Sequence, residues 1–330
     1  MSAREAPSLS SSRGGFAPKR SVIAVGLLIA FLLAACSDPP DPRTDDVPTR
    51  GHILILADED LRDLVQAEEY MFESIYRDAQ LDIRYLAEAE LLKAVVNDSV
   101  RCWIGTVQPG GEQEAYYAKR SVKAHVVPIA MDGIAVVVNK DRAVEKTDLR
   151  TLSWLLMDIP PGWVKPMAWK DLEGGADDRQ PQVLFVGRGS GVARTIIDSL
   201  NISQPRGQAL AATDSVIAQV GRESNCLGFV PFAAISDLDN PKMKALRCRV
   251  KLLAISASDS SVAFLPNQGT LADGSYPLRR PVYMVLCEGK SGLGTGFVSF
   301  VANHKGQRII LKHGLAPHTV PPREIEIVTQ

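Results

Sequence analysis

An apolar run followed by an amphipathic helix pattern, repeated once and closed by a third apolar run, occupies residues 52–105 and constrains the fold more than any other stretch. After His52 come Ile53, Leu54, Ile55, Leu56 and Ala57, as a strand covered on both faces requires. Asp58, Glu59 and Asp60 follow, acids that suit the positive end of a helix. That helix places Leu61, Leu64, Val65, Met71, Phe72 and Ile75 on one broad face. Residues 81–86 read as a second strand and residues 88–97 as a second helix, apolar at Leu91, Leu92, Val95 and Val96. Residues 100–105 read as a third strand. A β-α-β-α-β order gives parallel strands with helices on the sheet faces, and such sheets bind ligands beyond the C-terminal strand ends.

Further strands are expected at residues 125–129, 133–138, 183–186, 227–230, 249–255 and 283–287. Residues 139–145 form a polar break suited to a crossing between lobes, and Thr147 is expected to cap a helix bearing Leu149, Leu152, Leu155 and Leu156. Helices are also expected over 192–200, from about Asp214, and over 297–302 and 307–311. No internal repeat is visible.

The N-terminus carries Lys19 and Arg20, then 14 uninterrupted apolar residues from Val22 to Ala35, then Cys36. This is the order of a secretion signal, and the run is short of the roughly 20 residues a permanent span needs. Cys36 after Leu33-Ala34-Ala35 resembles a bacterial lipobox, so residues 1–35 are expected to be removed and the Cys36 thiol lipidated. Each buried acyl methylene contributes about 0.8 kcal/mol, so more than one chain anchors without a spanning helix. Residues 36–50, rich in Pro and Asp, read as a flexible tether.

Removing the signal takes out four basic residues and one acid, moving the formal charge from −1 to −4. That balance excludes a general nucleic-acid binder. Cys102, Cys226, Cys248 and Cys287 show no metal-ligand spacing; four core thiols are expected, a disulfide between two of them in an exported protein is the competing reading, and no metal or cofactor is expected. None of the five histidines adjoins a nucleophile, so no enzyme is expected.

The sharpest local chemistry lies at Gly187-Arg188-Gly189-Ser190-Gly191, a glycine-rich turn between a strand and a helix. Backbone N–H groups of Gly189 and Gly191, the Ser190 hydroxyl, and the guanidiniums of Arg188 and Arg194 could together hold an anion. A structural turn with two solvated arginines is the competing reading. The stretch is no dinucleotide fingerprint, nucleophile elbow or P-loop. Thr106 ends the third strand and either contacts a ligand or caps backbone. Asp132 precedes a long apolar strand and either accepts a hydrogen bond from a protonated oxyanion or pairs near a hinge.

The segment Tyr276-Pro277-Leu278-Arg279-Arg280-Pro281-Val282-Tyr283 resembles the YPL-x-R-x-x-Y segment of PstS-type phosphate-binding proteins of phosphate ABC transporters. Gly292 to Phe297, Gly306-Gln307-Arg308-Ile309-Ile310 with Gly314-Leu315, Asp132 to Asn139 and Trp169-Lys170-Asp171-Leu172 are similar to further family segments, in the same order. The resemblance implies an α/β chain of the type II periplasmic-binding-protein fold, two α/β lobes with a hinge and a ligand cleft between them. Lobe 1 is expected over 51–139, lobe 2 over 140–272, and a return to lobe 1 over 273–330. Ser190 and Gly191 match the family's R-x-x-x-S-G-T phosphate loop, and Thr106 its earlier ligand-facing hydroxyl. The loop departs from that pattern at Val186 and Val192, and Asp58 to Asp60 replace the Ser or Thr often found after the first strand. The implied function is an extracytoplasmic protein, membrane-anchored through Cys36, that binds phosphate or a similar oxyanion and delivers it to an ABC permease. The alternative is an envelope interaction or sensor protein that has lost phosphate binding.

Overall fold

The computed structural model describes residues 46–97, 100–163, 165–289 and 291–321. The predicted signal, Cys36 and residues 37–45 of the tether lie outside the described residues.

Strand β1 (Gly51–Asp58) pairs in parallel with β2 (Ala79–Leu86) and β3 (Cys102–Gly105). Strand β4 (His125–Asn139) is long enough to join two parts of the sheet. The later strands in chain order are β5 (Lys146–Asp148), β6 (Gln182–Val186), β7 (Gln208–Leu210), β8 (Cys226–Pro231), β9 (Val250–Leu252), β10 (Ala254–Ser256), β11 (Arg279–Leu286) and β12 (Ala316–Pro317). The main strand order is β2-β1-β3-β11-β4-β8-β6-β7, with β9 and β12 also on β4. Strands β5 and β10 form a separate two-stranded ribbon. Strand β11 runs antiparallel between β3 and β4, so a late segment completes the sheet begun by the first three strands.

Ten helices accompany these strands among the described residues: α1 (Arg62–Ile75), α2 (Glu88–Ala94), α3 (Gly111–Lys119), α4 (Leu149–Leu155), α5 (Gly191–Leu200), α6 (Thr213–Arg222), α7 (Pro241–Arg247), α8 (Gln268–Asp273), α9 (Leu293–Ala302) and α10 (His304–Lys312). A 3-10 turn, Glu59–Leu61, links β1 to α1. Successive residues of β1 serve opposite sheet faces. Ile53, Ile55 and Ala57 enter the main core, while Leu56 enters a second core with Leu91, Trp103 and Tyr117. Phe72 of α1 packs edge-on to Phe297 and Phe300 of α9, pinning the two helices together. The first turn of α9 is held by carboxylates: Glu288 accepts from the N–H groups of Gly292, Gly294 and Thr295, and Asp46 from that of Leu293.

Several local expectations are corrected. The strands expected at 125–129 and 133–138 are one strand, and Asp132 within it stands in register with Arg280 on β11. Helix α4 is capped by Asp148, which accepts from the Thr151 N–H at 3.0 Å, and not by Thr147. The strand expected at 249–255 divides into β9 on the main sheet and β10 on the ribbon. Cys102, Cys226 and Cys287 are buried free thiols, but Cys248 is exposed at the end of α7. No helix among the described residues is long and apolar enough to cross a membrane.

Candidate functional site

The C-terminal ends of β1, β3 and β6 and the N-termini of α2 and α5 converge on one charged cluster. The turn after β6 is shaped by Gly187, whose φ of 47° lies in the left-handed region that glycine adopts without steric cost. Ser190 then caps α5, its Oγ accepting from the Ala193 N–H at 3.2 Å. That hydroxyl donates to the carbonyls of Val186 and Gly187, so its own proton stays within the turn.

The hub of the cluster is Arg280, fully buried on β11. Its Nε donates to Oδ2 of Asp132 at 2.9 Å, and its Nη1 to Oδ2 of Asp60 at 3.1 Å. The other Asp132 oxygen accepts from the Ala233 N–H at 2.9 Å. Asp60 Oδ2 also accepts from the Val192 N–H in the first turn of α5, at 3.2 Å. Asp58 Oδ1 accepts from the Asp60 N–H at 3.1 Å, while Asp58 Oδ2 is buried with no hydrogen-bond partner. A methyl group at Gly191 would stand 2.8 Å from Arg280 Nη1, 2.9 Å from Thr106 Oγ1 and 3.0 Å from Asp58 Oδ2. Only glycine lets these three groups approach the helix end so closely.

Beside the hub lies a second pair. Arg194 of α5 donates to Glu88 Oε1 at 2.5 Å and to Oε2 at 3.1 Å. Thr106 donates to Glu88 Oε2 at 2.6 Å and accepts from Arg194 Nη2 at 3.2 Å. Glu88 and Thr106 are buried; the Arg194 side chain is a third exposed and also meets Asp198 at 3.1 Å.

Four carboxylates, Asp58, Asp60, Glu88 and Asp132, therefore face two guanidiniums. Burial, then the neighbouring Asp60, pushes the Asp58 carboxyl well above the usual carboxylate range. Asp60 and Asp132 are also raised, burial outweighing the attraction of Arg280. Burial acts to lower the Arg280 pKa, but the surrounding carboxylates outweigh it and hold the guanidinium charged. A groove of about 880 Å³ opens beside the β5–β10 ribbon; no member of the charged cluster lines it.

The structure brings together Thr106, Asp132, Ser190, Gly191 and Arg194 from the sequence candidates. Gly189 packs on α2, its carbonyl accepting from the Ala89 N–H at 2.9 Å. Arg188 is exposed on the turn, away from the buried groups. Arg280, Asp60, Asp58 and Glu88 were not read as site residues. For Arg280 a signal existed: adjacent arginines on a strand point to opposite faces, so one of Arg279 and Arg280 had to face inward and needed acids around it.

The profile of the PBP superfamily domain matches residues 45–305. The chain belongs to the PBP superfamily. Its likeness within that superfamily is to the PstS type. The Phosphate-binding protein PstS of Pseudomonas aeruginosa is 21% identical over 312 residues, covering 89% of this chain and 92% of the relative. The Phosphate-binding protein PstS of Staphylococcus epidermidis is 22% identical over 204 residues, 59% of this chain, and the match spans only 57% of that relative's length. A putative phosphate ABC transporter substrate-binding protein of Clostridium perfringens, solved with bound phosphate, superposes with a TM-score of 0.65 at 18% identity, over 81% of this chain and all of that one. An ABC-type phosphate transport receptor of Vibrio cholerae superposes with a TM-score of 0.61 at 14% identity, over 81% of this chain and 99% of that one. The shared architecture is the type II periplasmic-binding-protein fold that the segment from Tyr276 to Tyr283 and its companion segments implied.

Proposed function

We propose that this chain is a lipid-anchored, extracytoplasmic solute-binding protein that takes phosphate or a similar tetrahedral oxyanion and delivers it to an ABC permease, without catalysis. The anchor is Cys36, which holds the folded body on the envelope membrane outside the cytoplasm. The names of the relatives support phosphate as the solute. The observation that carries the reading is a fully buried guanidinium, Arg280, set against the first turn of α5 with Thr106 and Arg194 beside it. Burying a cation is costly unless an anion meets it, and an oxyanion can draw on both guanidiniums, the Thr106 hydroxyl and the helix N–H groups.

A second reading has its own observation. Both guanidiniums, the Thr106 hydroxyl and the Val192 N–H already donate to carboxylates of this chain, and an entering dianion would share the space with Asp58, Asp60 and Glu88. Like charge at such range is strongly unfavourable. An envelope interaction or sensor protein that kept the scaffold and lost phosphate affinity fits this arrangement.

Calorimetry with phosphate, sulfate, molybdate and tungstate separates the two. Under the transport reading phosphate gives heat and raises the melting temperature; at a hundredfold excess over Kd the gain is about 2.7 kcal/mol. No heat and no thermal shift with any of the four removes that reading and leaves the second.

A further inference from the structure

We infer that Glu88, together with Asp60, is an internal latch that holds the two parts of the sheet closed on each other without any solute. The inference goes beyond the transport reading and stands whether or not the solute is phosphate.

Glu88 opens α2, between β2 and β3, and its partner Arg194 lies in α5, which follows β6 at the other end of the sheet. Three kinds of bond cross from one part to the other. Arg194 grips both oxygens of Glu88 and reaches the Thr106 hydroxyl and carbonyl. Asp60 accepts from the Val192 N–H. The Ala89 N–H donates to the Gly189 carbonyl at 2.9 Å. The close approach of Gly191 to Asp58, Thr106 and Arg280 belongs to the same contact.

The bonds to Glu88 and Asp60 have the chemistry of a bound anion. A bidentate guanidinium, a hydroxyl and a first-turn helix N–H recognise carboxylate and phosphate alike. Here the carboxylates are tethered to the chain, so they act at an effective concentration that a free solute would have to exceed. An ordinary clamshell is closed by the bond energy of its solute; this one draws on its own side chains. A solute that uses Arg194 or the α5 N-terminus competes with Glu88 and Asp60.

The first N–H groups of a helix have no acceptor within the helix. Ala89 and Val192 are each the second residue of theirs, so protection of these two amides from hydrogen exchange reports the cross-contact itself. The experiment is hydrogen exchange on the purified full-length chain, dialysed free of phosphate, read by mass spectrometry on peptides carrying Ala89 and Val192. The expected result is slow exchange of both without solute, and at least tenfold faster exchange in Glu88→Gln and in Arg194→Gln. Unchanged exchange in β1 and β4 shows that those variants remain folded. Fast exchange in the native chain that slows only on adding phosphate overturns the inference and favours the transport reading. Slow exchange that neither substitution accelerates overturns the role of the Glu88 pair. Slow phosphate-free exchange with no phosphate heat upholds the latch and removes phosphate as the solute.

Discussion

Two buried ionisable residues show how far a single side chain can depart from the pattern around it. Glu68 lies on the inner face of α1, between Leu64 and Phe72 at helical spacing, and both its carboxylate oxygens lack hydrogen-bond partners. Burial pushes its pKa up to about 9. The unfolded chain releases this proton near the ordinary Glu value of about 4.3, so the folded state is penalised increasingly as pH rises from there toward 9. Glu68→Leu is therefore expected to stabilise the protein by ~1–3 kcal/mol at about pH 8, the range for removing an unsatisfied buried polar group. At about pH 4 the gain shrinks; urea unfolding at both pH values checks this, and an equal gain at both contradicts the assignment. Arg280 departs in the other direction, a cation on the buried face of a strand, but its charge is met by Asp60 and Asp132. The residue spacing at both positions was legible in the sequence. The presence or absence of a partner was not, because partners come from elements far apart in the chain.

At the scale of elements, the cluster depends on how α5 begins. Ser190 serves the helix and the turn, and Gly191 keeps the helix end clear for three other groups. Losing the cap in Ser190→Ala is expected to cost about 1 kcal/mol. Gly191→Ala is expected to cost more, roughly 1–3 kcal/mol, because its methyl group would press on Arg280, Thr106 and Asp58 inside a packed site. Thermal unfolding of the two variants tests the order; a milder Gly191→Ala would show that the site is more open than described. Elements with a strong local pattern, the apolar runs of β1, β3 and β6 and the helical periodicity of α1, were legible from the sequence. Strands β7 and β12 and helices α3, α7 and α8 were not, because short elements derive their stability from neighbours more than from their own pattern.

For the whole molecule, the excess of buried acids sets an unusual pH response. Asp58, Asp60 and Asp132 all have raised pKa values in the folded state, with burial the largest cause in each. An acid whose folded pKa exceeds its unfolded pKa binds its proton more tightly when folded, so stability falls as pH climbs above the ordinary carboxylate range. The urea midpoint is expected to rise as pH is lowered from about 8 toward about 5, against the common trend of acid destabilisation. Asp58→Asn should flatten that slope, since its Oδ2 has no partner to lose. A midpoint that falls over this range in the native chain contradicts the reading.

The class of fold was written in the order of apolar runs and helix patterns along residues 52–105, and the family in the segment around Tyr276 to Tyr283, because both are local signals carried by contiguous residues. Their sequence was also enough to mark the turn at Gly187 and the acids at Asp58 to Asp60 as chemically important. Only tertiary packing decided that these two segments meet, that Arg280 stands between them, and that Glu88 takes the hand of Arg194. Whether a donor is free or already engaged depends on side chains more than a hundred residues apart in the chain, and distance along a sequence carries no information about contacts made by folding.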